Sequence, residues 1–295
     1  MLVTRFAPSP TGFMHLGSAY AAVFAHDAAR MHDGRFLLRI EDIDATRCRP
    51  EFEAAIYEDL RWLGLGWDGP VLRQSEGLSR YQAAIQRLDE LGLVYPCFCS
   101  RKDIAQELAR SLSAPHGPDG PLYPGTCRSL PRQEARLRMR AEAYVLRLDV
   151  GKAVVRSGAL AFEERGCGPC GEHGLIAAEP LRLGDIVLAS RDRAASYHLA
   201  VVVDDAAQRV CLVTRGQDLF AAAHVQRLLQ ALLDLPTPVY AHHDLVLDAQ
   251  GHKFSKRDHR ATLRALRAEG RAPEEIRNQL RLGAGAGLAR SLPGT

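Results

Sequence analysis

The segment TRFAPSPTGFMHLGS, from Thr4 to Ser18, joins a short apolar strand at Met1 to Phe6 to a helical run at Ala19 to Arg30. Its prolines cannot donate backbone hydrogen bonds and its glycines tolerate unusual conformations, so we expect a loop. A strand, a glycine-containing turn and a helix start form a natural phosphate site, because backbone N–H groups and the helix dipole face the anion. His15 adds a donor, and Gly17 permits close approach of a nucleotide. A lone histidine in a turn is usually structural, so this segment alone is weak evidence.

The chain around this loop alternates strands and helices, which favours a parallel sheet covered by helices. Residues 35–42 are predicted as a strand that ends in acids, and an amphipathic helix follows at 51–65. Helical periodicity is weak from residue 144 to 190. The stretch ASYHLAVVVDDA at 195–206 is predicted as an apolar strand at which the α/β core resumes. We therefore expect an α/β domain that is interrupted by an insertion and followed by a helical tail.

Composition places few limits on function. The chain has 295 residues, of which 46% are hydrophobic and 25% charged, as in ordinary globular proteins. It has no apolar run near the roughly 18–20 residues of a membrane helix and no signal-peptide pattern, so we predict a cytoplasmic protein without a membrane partner. We also expect a monomer. The net charge of +3 does not choose a partner. Arginines cluster at 132–140 and 257–271, either as solvated helix faces or as a surface for nucleic-acid phosphates.

A second candidate motif is KFSKR, from Lys253 to Arg257. Two lysines three positions apart flank a serine in a glycine-containing neighbourhood. Most basic loops are merely solvated. A flexible cationic loop can also close over a nucleoside triphosphate and neutralise the charge on leaving pyrophosphate.

Together these motifs resemble those of the class I aminoacyl-tRNA synthetases. HLGS at 15–18 stands where that family has His-Ile-Gly-His, and KFSKR stands where it has Lys-Met-Ser-Lys-Ser. The stretches RFAPSPTGFMHLGS, RIEDID, YHLAVVVDDA and VTRGQDL are similar to the glutamyl branch. The resemblance extends over almost all of residues 1–282.

The resemblance implies an α/β, Rossmann-like class I synthetase catalytic domain with a zinc-containing insertion and a short helical C-terminal stem-contact region. The catalytic halves are expected at 1–92 and 191–257. The insertion, with an acceptor-binding-like region, is expected at 93–190 and the tail at 258–295, without an anticodon-binding domain. Because the chain stops soon after its lysine loop, it resembles the truncated glutamyl-Q tRNA(Asp) synthetases. These activate L-glutamate with ATP, with Mg²⁺ expected, and transfer it to queuosine in the anticodon of tRNA(Asp).

Site residues follow from the resemblance, position by position. Glutamate has two carboxylates and one ammonium, so its site needs cations and an anion; the matching residues are Arg5, Ala7, Ser9, Glu41, Tyr197 and Arg215. ATP is expected at Arg5, Phe6, Ala7, Pro8, Ser9, His15, Gly17, Lys253, Ser255 and Lys256. His15 and Lys256 are the predicted catalytic residues. Val201 stands where glutamyl-tRNA synthetases often have asparagine, which removes a possible hydrogen bond to substrate.

Cysteines provide a candidate metal site. Cys97, Cys99 and Cys127 can supply three thiolates of a structural zinc site; the alternative is three buried, reduced cysteines without a metal. Ligand chemistry alone favours His116 as the fourth ligand, whereas the resemblance implies Tyr123, because the family pairs Cys-x-Cys with Tyr-x3-Cys. CGPCGEH adds Cys167, Cys170 and His173, either as a second metal site or as exposed reducible thiols.

Three other functions remain open from the sequence. The chain could be a shortened glutamyl-tRNA synthetase that charges an ordinary tRNA 3′ end. It could be a small-molecule nucleotidyltransferase, although Glu41, Arg215 and the chain length argue against this. It could also be a catalytically silent tRNA-binding paralogue, since Ser18 replaces the last histidine of the first motif.

Overall fold

A computed structural model describes residues 1–110, 116–117, 120–246 and 262–280 of the chain. The strands are β1 (Val3–Phe6), β2 (Arg35–Ile40), β3 (Leu72–Arg73), β4 (Val94–Cys97), β5 (His116–Gly117), β6 (Gly120–Pro121), β7 (Val145–Leu148), β8 (Ala161–Glu164), β9 (Gly174–Ala177), β10 (Val187–Ser190), β11 (Leu212–Gly216) and β12 (Val239–His243). The helices are α1 (Leu16–Arg30), α2 (Pro50–Trp62), α3 (Leu78–Glu90), α4 (Arg101–Arg110), α5 (Arg132–Ala141), α6 (Val150–Ser157), α7 (Tyr197–Ala207), α8 (Phe220–Leu232), α9 (Leu263–Ala268) and α10 at residues 273–280.

Parallel strands form the centre of the fold, as the alternation of strands and helices predicts. β1 pairs with β2 and β2 with β3, while β11 pairs with β12, all in parallel. β1 lies beside β11, where the Cys211 amide donates to the Val3 carbonyl at 3.1 Å. The carboxyl ends of β1, β2 and β11 therefore share one edge, where open α/β sheets bind ligands.

Two apolar clusters hold helices against these strands. In the first, Phe24 of α1 and Leu60 of α2 pack with Phe36 of β2 and Ile276 of α10. In the second, α3, α7 and α8 pack together around residues such as Tyr81 and Leu228. The helical tail predicted after residue 261 is present as α9 and α10, and its apolar side is part of the first cluster.

The predicted strand at 195–206 is wrong: the segment forms α7. Ser196 caps this helix, and its hydroxyl accepts from the Leu199 amide at 3.5 Å. α7 packs against α3 and α8, and its buried residues leave no polar face. A helix that is buried on most sides shows no amphipathic period, and the run Val201 to Val203 resembles a buried strand. α6 was also missed, in this case because it has only eight residues.

The region from 93 to 190 contains its own antiparallel sheet. β7 lies between β4 and β10 and pairs with both in antiparallel fashion. β8 and β9 also lie in this region, but β8 pairs with β12 next to the central strands. The division of the chain at 92, 190 and 257 stays a prediction. Among the described residues, no helix is both long enough and apolar enough to cross a bilayer.

Candidate active site and cysteine cluster

The loop after β1 leads directly into the N-terminus of α1. His15 is the N-cap of this helix, and its Nδ1 accepts a hydrogen bond from the Ser18 amide at 3.2 Å. Its Nε2 lies 3.2 Å from Ser18 Oγ. A Cβ at Gly17 would lie 3.1 Å from the His15 ring, so glycine at this position leaves room for the histidine. The predicted helix is confirmed but begins at Leu16 rather than at Ala19, and its start places backbone amides and His15 at the same point.

A pocket of about 530 Å³ opens at the carboxyl ends of the central strands. Every predicted glutamate- or ATP-binding residue that the structure describes lines it: Arg5, Phe6, Ala7, Pro8, Ser9, His15, Gly17, Glu41, Tyr197 and Arg215. These residues come from β1 and its loop, the end of β2, the start of α7 and β11. The fold thus brings together side chains that are as much as 210 positions apart, although their roles stay predictions.

One wall of the pocket is a buried charge cluster. Arg5 Nε donates to Asp205 Oδ1 at 3.0 Å, and Arg39 Nη1 donates to the same oxygen at 2.6 Å. Glu41 Oε1 accepts from Arg39 Nη2 at 3.3 Å. Burial raises the pKa of Glu41, although the guanidiniums of Arg39 and Arg5 oppose the shift. Two guanidiniums and two carboxylates therefore share a nearly dry volume, in which an added charge is strongly felt.

A second group of polar side chains in the pocket lining is centred on Arg215 of β11. Its Nη1 donates to Gln226 Oε1 at 2.8 Å and lies 3.4 Å from the Tyr197 hydroxyl. Its Nε donates to His242 Nε2 at 2.9 Å. Arg215 is only 5% exposed, and within the described part of the chain its Nη2 has no hydrogen-bond partner. A buried guanidinium with an unused donor is suited to a carboxylate ligand.

The second motif cannot be placed against this pocket. Lys253, Ser255 and Lys256, with the rest of KFSKR, lie outside the described residues. The described residues on both sides of that segment are at the pocket. Leu245 and Val246 line it, and Thr262 forms a β-bridge with His15.

Sequence reasoning missed several lining residues, among them Thr214, Asp218 and His243. Burial lowers the pKa of His243 to about 4, so its imidazole is neutral. The doublet His242-His243 at the end of a strand was the available signal, because residues at the carboxyl ends of parallel strands face the site. Val201 does not belong to the site: it is 2% exposed and packs in the second apolar cluster.

The predicted zinc ligands meet beside β4. The sulfurs of Cys97, Cys99 and Cys127 lie within 4.8 Å of one another. The Cys99 and Cys127 sulfurs are 3.5 Å apart, and the Tyr123 hydroxyl is 3.8 Å from Cys99 Sγ. The guanidinium of Arg147 lies over the Tyr123 ring at 3.9 Å and offers a compensating positive charge. The side chain of the alternative ligand, His116, lies outside the described residues.

The second candidate metal motif does not converge. Among the described residues, Cys97, Cys99 and Cys127 are the only group of three or more His, Cys, Asp or Glu ligand atoms this close together. His173 Nδ1 instead lies 2.9 Å from the Gly166 carbonyl, and Cys167 Sγ lies 3.4 Å from the Gly168 carbonyl. Cys170 is exposed. This arrangement agrees with the simpler of the two interpretations, an exposed loop with thiols.

A wide groove has lining residues next in the chain to those of the pocket. Glu41 lines the pocket, and Asp42 and Ile43, next in the chain, line the groove of about 1130 Å³. Its charged lining comprises Arg132, Arg136, Arg191, Arg193, Asp42, Asp89 and Asp192. The arginines come from α5 and from the turn after β10. Part of the first arginine cluster therefore faces a groove rather than bulk solvent alone.

Comparisons with known proteins agree with this geometry. The family described as "tRNA synthetases class I (E and Q), catalytic domain" matches residues 1–289. A glutamyl-Q tRNA(Asp) synthetase of Rhodobacter capsulatus is 51% identical over 95% of this chain and 100% of its own length. One from Nocardia farcinica is 43% identical over 92% of this chain and 81% of its own. A glutamate tRNA ligase from Elizabethkingia meningosepticum, solved in complex with its amino acid, superimposes on this chain with a TM-score of 0.76. The two sequences are 26% identical, and the match covers 95% of this chain and 60% of the ligase.

Proposed function

The chain belongs to the class I tRNA synthetases for glutamate and glutamine, and from that premise we propose that it activates L-glutamate with ATP and transfers it to queuosine in the anticodon of tRNA(Asp). The glutamyl-Q tRNA(Asp) synthetase of R. capsulatus, aligned over its whole length, supports the choice of acceptor. The glutamate tRNA ligase is instead matched over 60% of its chain. We place the activity in the cytoplasm, where ATP and tRNA are available.

The observation that carries the proposal is the charge pattern of the pocket. Arg5, Arg215 and Glu41 all line the pocket; Arg5 is ion-paired with Asp205, and Glu41 accepts from Arg39, which shares that Asp205. Glutamate carries two carboxylates and one ammonium, and the lining offers groups of the opposite charge in the guanidiniums of Arg5 and Arg215 and the carboxylate of Glu41. Arg215 retains an unused buried donor among the described residues, which is costly unless a ligand pairs with it.

The first chemical step is adenylate formation. A glutamate α-carboxylate oxygen attacks the α-phosphorus of ATP, the bond to the bridging β-phosphate oxygen breaks, and pyrophosphate leaves. His15 and the amides at the start of α1 stabilise the negative charge on the phosphate. Lys256, outside the described residues, is the predicted partner of the pyrophosphate. Acceleration comes from positioning and charge stabilisation, without a covalent enzyme intermediate; Mg²⁺ accompanies the ATP phosphates.

The second step is acyl transfer. A hydroxyl of the queuosine cyclopentene ring attacks the glutamyl carbonyl, the carbonyl-to-phosphate bond breaks, and AMP leaves. The hydroxyl proton passes to the departing AMP phosphate. The groove beyond Glu41 is the route by which the tRNA reaches the pocket, and the arginines of α5 are placed to meet its phosphates.

The cysteine cluster fits a structural zinc ion. Tetrahedral ligands about 2.3 Å from zinc stand roughly 3.8 Å apart, close to the 3.5 Å between the Cys99 and Cys127 sulfurs and the 3.8 Å from Cys99 Sγ to the Tyr123 hydroxyl. Cys97, Cys99, Tyr123 and Cys127 would hold the ion, with Tyr123 bound as phenolate. Zinc would connect the end of β4, through Cys97 and Cys99, to the loop before α5, through Tyr123 and Cys127. It would take no part in glutamate activation or transfer.

The test begins with glutamate-dependent ATP–pyrophosphate exchange by the purified protein without tRNA. We expect exchange with glutamate and its loss in His15→Ala and Lys256→Ala. Glutamate transfer is then measured on queuosine-bearing tRNA(Asp), on unmodified tRNA(Asp) and on tRNA(Glu). Transfer to the first alone supports the proposal. Transfer to tRNA(Glu) would indicate a shortened glutamyl-tRNA synthetase, and no exchange under any condition would indicate a tRNA-binding paralogue without activity.

A further inference from the structure

Three buried side chains form a line across three neighbouring strands. Arg215 of β11 and His242 of β12 are register partners in a parallel pair. Glu164 ends β8, which pairs with β12 on its other side. Of these three residues, only Arg215 lines the pocket, so His242 and Glu164 lie behind it. The sheet itself therefore sets the order Arg215, His242, Glu164, from the pocket inward.

The hydrogen bonds in this line determine where the His242 proton is. An arginine Nε can only donate, and Arg215 Nε lies 2.9 Å from His242 Nε2, so this ring nitrogen is the acceptor. The proton of the neutral ring is then on Nδ1, which lies 2.5 Å from Glu164 Oε2. Burial lowers the pKa of His242 and favours the neutral ring. The histidine thus accepts from the guanidinium and donates to the carboxylate.

Glu164 is itself firmly held. Its Oε1 accepts from the Gly166 amide at 2.8 Å and from the His242 amide at 2.9 Å. The side chains of Glu164 and His242 are both fully excluded from solvent. A carboxylate that is fixed by two backbone amides can impose one tautomer and one ring orientation on the histidine.

The consequence for Arg215 concerns its remaining donors. His242 takes Nε and Gln226 takes Nη1, so both contacts fix the guanidinium plane. Nη2 is left without a partner among the described residues. The guanidinium is therefore oriented before a ligand arrives, which lowers the entropic cost of binding.

We propose that Glu164 and His242 are positioning residues that hold Arg215 ready for a carboxylate of the amino acid substrate. This inference rests on the proposed function for the identity of that substrate. Neither residue touches the substrate; Glu164 acts through His242, and His242 acts through Arg215. Loss of either is expected to weaken glutamate binding while it leaves ATP binding unchanged.

The tautomer can be measured on the unmodified protein. Nitrogen-15 NMR of histidine-labelled protein is expected to show His242 protonated at Nδ1. His224 is a matched internal reference, because it is also buried but its Nδ1 accepts from the Glu179 amide at 2.9 Å, which requires the opposite tautomer. A signal from His242 with the proton on Nε2 would overturn the proposal, and this result needs no variant to fold.

Kinetics test the positioning role. In His242→Asn, the side chain can keep a donor near Glu164 but is too short to accept from Arg215. We expect the KM for glutamate to rise about tenfold or more, because this is the effect of losing a hydrogen bond to a charged group. The KM for ATP is expected to stay unchanged. His242→Gln can return an acceptor to Arg215 and is expected to recover part of the affinity. In Glu164→Gln, the new amide can donate to His242 Nδ1 and reverse the tautomer. We therefore expect the KM for glutamate to rise as in His242→Asn.

The control is His224→Asn, which removes a buried histidine outside the pocket and is expected to leave the KM for glutamate unchanged. Melting temperatures of all variants separate loss of folding from loss of binding. An unchanged KM for glutamate in folded His242→Asn and Glu164→Gln would overturn the positioning role. Absence of glutamate-dependent exchange in the wild-type protein would instead overturn the proposed function, so the two failures are distinguishable.

Discussion

Arg5 and Asp205, 200 positions apart in the chain, form a buried ion pair in which Nε lies 3.0 Å from Oδ1. Asp205 also accepts from Arg39 at 2.6 Å. Although burial alone would raise it, the guanidiniums of Arg5 and Arg39 hold the pKa of Asp205 below its ordinary value. A single carboxylate therefore fixes the predicted glutamate ligand Arg5 and joins β1, β2 and α7.

We expect Asp205→Asn to lower the free energy of unfolding by about 3 kcal/mol or more, because it leaves buried Arg5 without its ion-pair partner and removes one of the two carboxylates beside Arg39. Because the folded pKa of Asp205 lies below the unfolded one, its stabilisation is present above the ordinary carboxyl pKa and is lost as the pH falls. Urea unfolding from pH 7 down to pH 3 measures both effects. Glu179→Gln, which removes an exposed pair with Arg182, is the control and is expected to change little. Equal losses in the two variants would contradict the prediction.

The pocket shows what a sequence can and cannot supply. The loop at Thr4–Ser18 was predicted from prolines and glycines, and the resemblance to a family identified Glu41, Tyr197 and Arg215. Nothing local in the sequence indicates that Asp205 pairs with Arg5, or that Glu164 supports Arg215 through His242. Those contacts depend on the order and register of strands that are far apart in the chain.

The misassigned α7 has the same origin. Tyr197 lines the pocket, yet its segment was predicted as a strand, because a helix buried against α3 and α8 loses its amphipathic pattern. Asp204 and Asp205 in this helix are buried polar residues that accept from Gln74, Tyr81 and the arginines. Buried aspartates need such partners, but the sequence does not name them.

Asp59 of α2 is the second residue with a testable pH dependence. Its side chain is fully buried, its oxygens have no hydrogen-bond partner among the described residues, and Arg267 Nη1 of α9 is 3.7 Å away. Burial raises the pKa of Asp59 to about 7, although Arg267 opposes the shift. The folded protein therefore binds this proton more tightly than the unfolded chain does.

Because the pKa of Asp59 is higher in the folded protein than in the unfolded chain, its contribution to stability is expected to be complete below about pH 4 and to fall as the pH rises toward 7. Asp59→Asn cannot titrate, so the difference in melting temperature between the variant and the wild type should grow in favour of the variant over that interval. Thermal denaturation at pH 5, 6, 7 and 8 measures it. A difference that does not change with pH would show that Asp59 keeps an ordinary pKa.

Metal content tests the cysteine cluster. We expect about one zinc per chain by elemental analysis, as for a closed structural site. Cys99→Ser is expected to lose the zinc and to lower the melting temperature, because metal binding is coupled to folding. Cys170→Ser, which removes an exposed thiol outside the cluster, is expected to keep both the zinc and the melting temperature.

Tyr123→Phe tests the fourth ligand. Weakened zinc retention in this variant supports the Tyr123 phenolate as a ligand, and unchanged retention excludes it. Two zinc ions per chain would restore the second site at Cys167, Cys170 and His173.

The groove arginines provide the last prediction. Arg136 of α5 is exposed and lines the groove next to the pocket. Because each phosphate contact releases about one counterion, Arg136→Gln should weaken tRNA binding and reduce the slope of log K against log salt by about 1. ATP–pyrophosphate exchange without tRNA should be unaffected, since the residue does not line the active-site pocket. Arg156→Gln on α6, exposed but outside the groove, is the matched control and should leave the salt slope unchanged. Equal effects of the two substitutions would mean that the tRNA responds to overall charge rather than to this groove, and the tRNA would have to approach the pocket from another side.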